Sequence, residues 1–167
     1  MSGVEYNTPR QSQQFPAYYT GKDVNATKGS RSAYSSDLVE GDVLILDPYA
    51  HDTGKYGLEL AIPTTSFLHM RKYRVTNVPT GAERGGTVWV EAMNDACDLW
   101  CANGTAVGDM VAVQNGSPKL VVATVFAATN MATIKTMYAA CGWAQAANSS
   151  GATALTRCSF GLFQPGV

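Results

Sequence analysis

The sequence predicts an all-β fold, a small antiparallel β-barrel or sandwich of the jelly-roll-like or tulip-like kind with an extended N-terminal arm. From residue 38 onward, short apolar or alternating runs follow one another, separated by Gly, Pro, Asn and Asp, which is typical of antiparallel strands joined by turns. Hydrophobic residues make up 46% of the 167-residue chain, enough for a core. The first 36 residues lack this alternation, so the predicted division is an arm at 1–36 and a β-rich domain at 37–167.

Several of the predicted strands are closed by residues that favour turns, such as the Asp47-Pro48 pair after the first apolar run. The link "NGSP" at 115–118 suits a tight hairpin, since Asn115 and Gly116 accept positive φ. Its first strand lies in "AVGDMVAV", of which "VEGDVLIL" at 39–46 is a looser echo. The predicted strands are 42–47, 55–63, 72–78, 86–93, 109–114, 119–126 and 153–163.

Two segments are less regular. Residues 94–104 are predicted to form a loop or a single helical turn that ends at Gly104. Residues 130–147 fit either a short helix or a strand, and Gly142 and Trp143, which would interrupt a helix, favour the strand.

The arm is polar but carries aromatic residues at intervals. A polar stretch of this kind buries too little apolar area to offset its ordering entropy, so it is expected to be flexible alone. Aromatic side chains along such an arm can act as anchors for a partner's pockets, although a disordered tail with incidental tyrosines is the alternative. The candidate partner-binding residues are Tyr6, Arg10, Phe15, Tyr18, Tyr19 and Tyr34.

The net charge, the N-terminal sequence and the lengths of the apolar runs disfavour several classes of protein. A net charge of −1 provides no cationic field for phosphates, so no nucleic-acid partner is expected. The start "MSGVEYNTPRQSQQ" lacks the pattern of a secretory signal, and no apolar run reaches the length of a membrane span. We therefore expect a protein that is made in the cytoplasm and has no membrane partner.

Few residues are arranged for chemistry. The two histidines, His51 and His69, accompany no G-x-S-x-G motif, and "GAERGG" lacks the Lys of a phosphate-binding loop. Asp95 and Asp98 do not fit a calcium-binding loop. We therefore expect no enzyme activity, no cofactor and no metal.

The cysteines and tryptophans each allow more than one interpretation. Buried free thiols are the favoured state of the four cysteines, with a disulfide or a metal site as alternatives. Core packing is the favoured role of the tryptophans, with a sugar site as the alternative. These residues are Cys97, Cys101, Cys141 and Cys158, and Trp89, Trp100 and Trp143.

The order of several segments resembles that of small bacteriophage head decoration, or capsid cement, proteins. These segments are "EGDVLILD", "GTVWVEA", "ANGTAVGDMVAVQNGSPKLVVAT" and "MYAACGWAQAANSSGATALTRCSFGLFQPG", which fall within 38–167. The arm and the numbers of Trp and Cys depart from the family pattern. The matching residues are Val107, Gly108, Asp109, Val111, Val113, Gly116 and Leu120, followed by Gly142, Ala144, Ala147 and residues 153–163.

The resemblance implies a structural virion protein, a homotrimer on the outer surface of an icosahedral capsid. Such a protein stabilises the shell by bridging neighbouring subunits of the major capsid protein, and here the N-terminal arm would become ordered on binding. A tail or fibre-attachment subunit and a carbohydrate-binding β module are the alternative interpretations.

Overall fold

The structure is a computed structural model that describes residues 13–23, 33–48, 57–64, 67–93, 96–123 and 140–159. The prediction of an all-β barrel fold is confirmed, because ten β-strands form the regular structure of these residues. No helix in this part of the chain has the length and apolar character needed to cross a membrane. The strands are β1 Phe15–Asp23, β2 Val43–Leu46, β3 Glu59–Ile62, β4 Lys72–Asn77, β5 Gly86–Ala92, β6 Cys97–Cys101, β7 Met110–Gln114, β8 Ser117–Val122, β9 Ala140–Ala144 and β10 Ala154–Ser159.

The first five strands close into a barrel in the order β1-β3-β2-β4-β5. Strands β1 and β3 run parallel, and the other four pairings are antiparallel. Alternate residues of each strand point inward, as the period of two requires, and closure leaves the sheet without an open edge. Buried side chains of this core include Ala17, Tyr19, Leu44, Leu60, Ile62, Val75, Val88 and Val90.

The last five strands close into a second barrel in the order β6-β8-β7-β9-β10. Here too the first and third strands, β6 and β8, run parallel, and the remaining pairings are antiparallel. Smaller side chains and thiols fill its core, which includes Cys97, Leu99, Cys101, Val111, Ala112, Val113, Leu120, Ala144 and Cys158.

The two barrels are equivalent in register as well as in strand order. Each of the five strand pairings in the first barrel has a counterpart in the second that aligns the same strand positions. The corresponding pairs are Tyr19–Leu60 with Cys101–Leu120, Ile45–Ala61 with Ala112–Val121, Val43–Arg74 with Met110–Trp143, Val75–Val90 with Ala144–Cys158, and Tyr19–Gly86 with Cys101–Ala154. The described chain is therefore a tandem pair of one five-stranded barrel.

The Gly-Asp turn before the second strand of each barrel is the clearest sequence trace of this duplication. Gly41 and Gly108 have φ of 87° and 88°, a conformation that favours glycine. The carboxylate of Asp42 accepts a hydrogen bond from the Val39 N–H at 3.0 Å, and that of Asp109 accepts one from the Ala106 N–H at 2.8 Å. The echo between 39–46 and 106–113 thus marks the same turn and strand in the two barrels.

The structure corrects the predicted arm where the two overlap in the described residues. Phe15–Asp23 is strand β1, which closes the first barrel between β3 and β5, so this stretch is not an arm. Ala17 and Tyr19 alternate into the core. The prediction failed because the apolar positions of β1 are few and lie within a long polar segment. Residues 1–12 and 24–32 of the expected arm lie outside the described residues.

The structure also tests the predictions for the two less regular segments. Cys97–Cys101 is strand β6, so the prediction of a loop or helical turn was wrong; Cys97, Leu99 and Cys101 point inward. In the ambiguous segment the favoured strand is confirmed at Ala140–Ala144, and 130–139 lies outside the described residues.

Candidate interaction surface

The two barrels meet at a junction formed mainly by β2 and the turn before it on one side and by β6 and β8 on the other. Val43 of β2 is fully buried in the core cluster of the second barrel. Backbone hydrogen bonds cross the junction, from Trp100 N–H to Gly41 O at 3.3 Å and from Gly116 N–H to Pro63 O at 2.8 Å. Apolar burial and backbone bonds together hold the barrels against each other.

An ion pair lies at the centre of this junction. The ammonium of Lys119 contacts the carboxylate of Asp42, whose side chain is fully buried. The same ammonium lies 4.9 Å from the centroid of the Trp100 ring, a cation–π contact, and Trp100 Nε1 donates to Glu40 O at 2.8 Å. Burial raises the pKa of Asp42, and the hydrogen bonds from Lys119 and from Val39 N–H only partly offset that rise. The Trp100 ring is therefore engaged within the chain.

Charged groups border the junction. Arg74 Nη1 donates to Glu91 Oε1 at 2.8 Å, and Arg74 Nε donates across the junction to Asp98 O at 3.2 Å. The carboxylate of Glu40 lies 3.7 Å from Arg74 Nη2, and Arg157 Nη1 lies 3.5 Å from Asp98 Oδ1. These groups give the border of the junction a mixed charge.

Large apolar side chains reach the solvent close to the junction and at the two tryptophans. A Cβ added at Gly41 would lie 2.8 Å from Leu155 Cδ2, so Leu155 packs beside the junction turn. Trp89 and Trp143 are each 40% exposed, so the expectation of core packing was wrong for both. The exposed large hydrophobic residues of the described chain are Val39, Trp89, Val107, Trp143 and Leu155.

The predicted partner-binding aromatics are partly in the first barrel. Tyr19 is fully buried, so it offers no surface to a partner. The half-buried Phe15 packs edge-to-face on Tyr73, with ring centroids 5.9 Å apart. Tyr18 and Tyr34 are half-buried, and Tyr34 packs against the first core. Tyr6 and Arg10 lie outside the described residues, so the structure does not bring the six candidates together as one site.

The described residues contain no group of three or more His, Cys, Asp or Glu side chains that could hold a metal ion. His69 is exposed beside Phe67, and His51 lies outside the described residues. The cysteines are free thiols; Cys101 Sγ lies 3.7 Å from Cys158 Sγ in the second core. Burial raises the pKa of Cys97 to about 12, so its thiol is unreactive at neutral pH.

Sequence reasoning missed the junction and its central ion pair. The Gly-Asp pair at Asp42 is typical of a turn, and Lys119 stands alone in an apolar strand where nothing identifies its partner 77 positions away. A signal was available in the repeated Gly-Asp turn, which indicates two copies of one unit and hence a contact between them.

No protein-family model matches the sequence, and the curated proteins contain no match to it.

Proposed function

We propose that this chain is a structural virion protein that binds the outer surface of an icosahedral capsid and stabilises it by bridging neighbouring major capsid subunits. It acts there as a homotrimer and is made in the host cytoplasm. The proposal rests on the resemblance of 38–167 to capsid decoration proteins, and one observation carries it further: the chain contains two copies of a closed barrel that pack against each other. A doubled body presents surfaces in two places, which is what a bridging protein needs.

The distribution of polar groups supports this function over catalysis. The most buried acid of the junction, Asp42, is paired with Lys119, and Asp109 holds a turn. The ionisable groups described at the junction therefore serve the fold. Exposed apolar side chains, in contrast, lie in turns and on the outer faces of strands, where they can contact other proteins.

The role of the arm falls to residues 1–12, because β1 belongs to the barrel. Closed barrels leave no sheet edge for a partner strand, so strand addition would have to occur on the capsid subunit, with the N-terminal residues as the added strand. Tyr6 and Arg10 are the candidate anchors in this segment.

The test is cosedimentation with empty shells of the phage that encodes the chain. The full chain should sediment with the shells and raise their melting temperature. A variant lacking 2–12 should lose most shell binding yet unfold at the same denaturant concentration as the full chain. Absence of shell binding by the full chain contradicts the proposal, and equal binding by the shortened chain contradicts the role of the arm. Removing 2–23 serves as a contrast, since loss of β1 should unfold the first barrel.

Carbohydrate binding is a second candidate, because the Trp89 ring is 40% exposed on the outer wall of the first barrel and could stack on a sugar. Trp100 does not support it, since Lys119 covers its ring. Binding on a glycan array that disappears in Trp89→Ala, with shell binding unchanged, would favour this candidate.

A further inference from the structure

The junction between the barrels is head-to-tail. We name as the head face of a barrel the turn before its second strand together with one outward-facing residue of the fourth strand, which in the first barrel are Glu40, Gly41 and Arg74. The tail face is the outer wall of the first, third and last strands, which in the second barrel presents Asp98, Trp100, Lys119 and Leu155. The first head face packs on the second tail face. Because the two contacting surfaces differ, the contact is heterologous.

Equivalence of the barrels then places one more face of each kind at the ends of the chain. The second barrel carries a head face at Val107, Gly108 and Trp143, by the same register that aligns Gly41 with Gly108 and Arg74 with Trp143. The first barrel carries a tail face whose outer wall includes Pro16 and Trp89. The junction within the chain occupies only the first head face and the second tail face. The second head face and the first tail face therefore remain on the outside of the chain.

On both outward faces, apolar residues replace charged residues that lie at the equivalent positions of the junction. On the head face, Val107 stands where the first barrel has Glu40, and Trp143 stands where it has Arg74. On the tail face, the neighbouring pair Pro16 and Trp89 stands where the second barrel has the ion pair of Asp98 and Arg157. Charge is replaced by apolar surface on both sides, so the contact of Arg74 with Asp98 would become a contact of Trp143 with Pro16.

Exposure points to the same two faces. Of the five large hydrophobic side chains exposed in the described residues, Val39 and Leu155 flank the junction, whereas the other three lie on the outward faces. Val107 is 68% exposed, and Trp89 and Trp143 are 40% exposed. Aromatic side chains are enriched in protein–protein interfaces, and two of these three residues are tryptophans.

We propose that the occupant of the outward head face is a second copy of this chain, bound through its outward tail face. Each copy thereby repeats between chains the barrel contact that it makes within itself, and the series closes into a ring if the rotation per barrel allows. One acidic pair opposes the contact, because Asp109 and Glu59 occupy the positions of Asp42 and Lys119 and like charges repel. Glu59 is only 1% exposed, so its side chain does not reach the surface that would meet Asp109. This self-association does not depend on capsid binding and supplies a surface for the oligomer in the proposed function.

Two substitutions test the proposal by giving each outward face the residue of its junction counterpart. Val107→Glu introduces the Glu40 counterpart on the head face, and Trp89→Arg introduces the Arg157 counterpart on the tail face. Both side chains are exposed, so each variant should keep its circular dichroism spectrum and melting temperature. Sedimentation velocity and light scattering give the mass; Thr80→Glu, an exposed change in the β4–β5 turn, is the control.

The wild-type chain and the control should have a mass of at least twice 17.7 kDa, and each variant alone should be a monomer. An equimolar mixture of the two variants should form dimers, because one copy retains its head face and the other its tail face. A symmetric contact would not give this rescue. A monomeric wild-type chain, variants that remain associated, or a mixture that stays monomeric overturns the proposal. No capsid is present, so these outcomes are separate from those of the cosedimentation test.

Discussion

The carboxylate of Asp42 and the ammonium of Lys119 meet inside the barrel junction, 77 residues apart in the chain. Asp42 serves two structures at once, because one carboxylate oxygen accepts from Val39 N–H in the turn and the other contacts Lys119. Its counterpart Asp109 makes the same turn bond to Ala106. Asp42 therefore has a role in the junction in addition to the turn bond that it has in common with Asp109.

Removal of the cation should destabilise the chain more than removal of the anion. Lys119→Met leaves the Asp42 carboxylate buried without its ammonium, and the free energy of unfolding should fall by about 3 kcal/mol. Lys119→Met combined with Asp42→Asn should regain most of this loss, because no buried charge remains. Urea unfolding of the two single variants and the double variant measures the coupling.

The matched control is Arg84→Met, because Arg84 and Asp37 form an ion pair at 2.7 Å with both side chains more than half exposed. This change should cost less than about 1 kcal/mol. Equal losses for Lys119→Met and Arg84→Met would mean that burial does not strengthen the Asp42 pair.

Stability should depend on pH through Asp42. Burial raises the pKa of Asp42 above its ordinary value of 3.8, so the folded chain keeps this proton at pH values where the unfolded chain has lost it. The contribution of Asp42 is therefore fully present below pH 3.8 and is lost as pH rises through the raised pKa. Asp42→Asn does not titrate, so the stability of this variant relative to wild type should increase over that interval. Urea unfolding at a series of acidic pH values measures the difference; a difference that stays constant or decreases with pH contradicts the assignment. Asp37→Asn, at an exposed site, is the control.

Gly41 and Gly108 form a matched pair for testing the junction packing. Both have φ near +90°, so alanine at either position should cost about 1 kcal/mol in backbone strain. The Cβ at Gly41 would also lie 2.8 Å from Leu155 Cδ2 and 3.3 Å from Trp100 Cδ1, whereas nothing lies within 4 Å at Gly108. Gly41→Ala should therefore cost roughly 1 kcal/mol more, the price of moving side chains in a packed contact. Denaturant unfolding gives both values, and equal losses would show that the junction yields freely around the turn.

Much of the fold was accessible from the sequence because its signals are local. The hairpin of β7 and β8 was predicted from alternating valines and the Asn115-Gly116 turn, and the structure has both strands. Strands β1 and β6 were missed for a physical reason: their few inward residues, which include Tyr19 and two cysteines, alternate with more polar positions, and only the closed barrel identifies them as core. Closure is a tertiary property that no single window of sequence contains.

The candidate site was harder to predict from the sequence than the fold. Its central contacts join Asp42 to Lys119 and Glu40 to Trp100, and neither pair is connected by spacing or motif. The aromatics of the arm were visible as a pattern, yet Tyr19 has the spacing of an anchor and the burial of a core residue. Spacing alone does not separate those two roles, since a strand that lies in a polar segment and a docking arm have similar compositions.

Substitutions of Tyr19 distinguish a core residue of a strand from an anchor of a docking arm. Its hydroxyl is buried with no hydrogen-bond partner among the described residues, and burial raises the pKa of this phenol. Tyr19→Phe removes a polar group that the fold leaves unsatisfied, so the free energy of unfolding should rise by about 1 kcal/mol. Tyr19→Ala leaves a cavity in the first barrel and should cost about 3–5 kcal/mol. An anchor for a partner would behave differently, because its loss would weaken binding while leaving stability unchanged. Urea unfolding and shell cosedimentation of both variants therefore distinguish a core tyrosine from a docking tyrosine. A Tyr19→Ala chain that is as stable as wild type but fails to bind shells would contradict the core role of Tyr19 and support the docking arm.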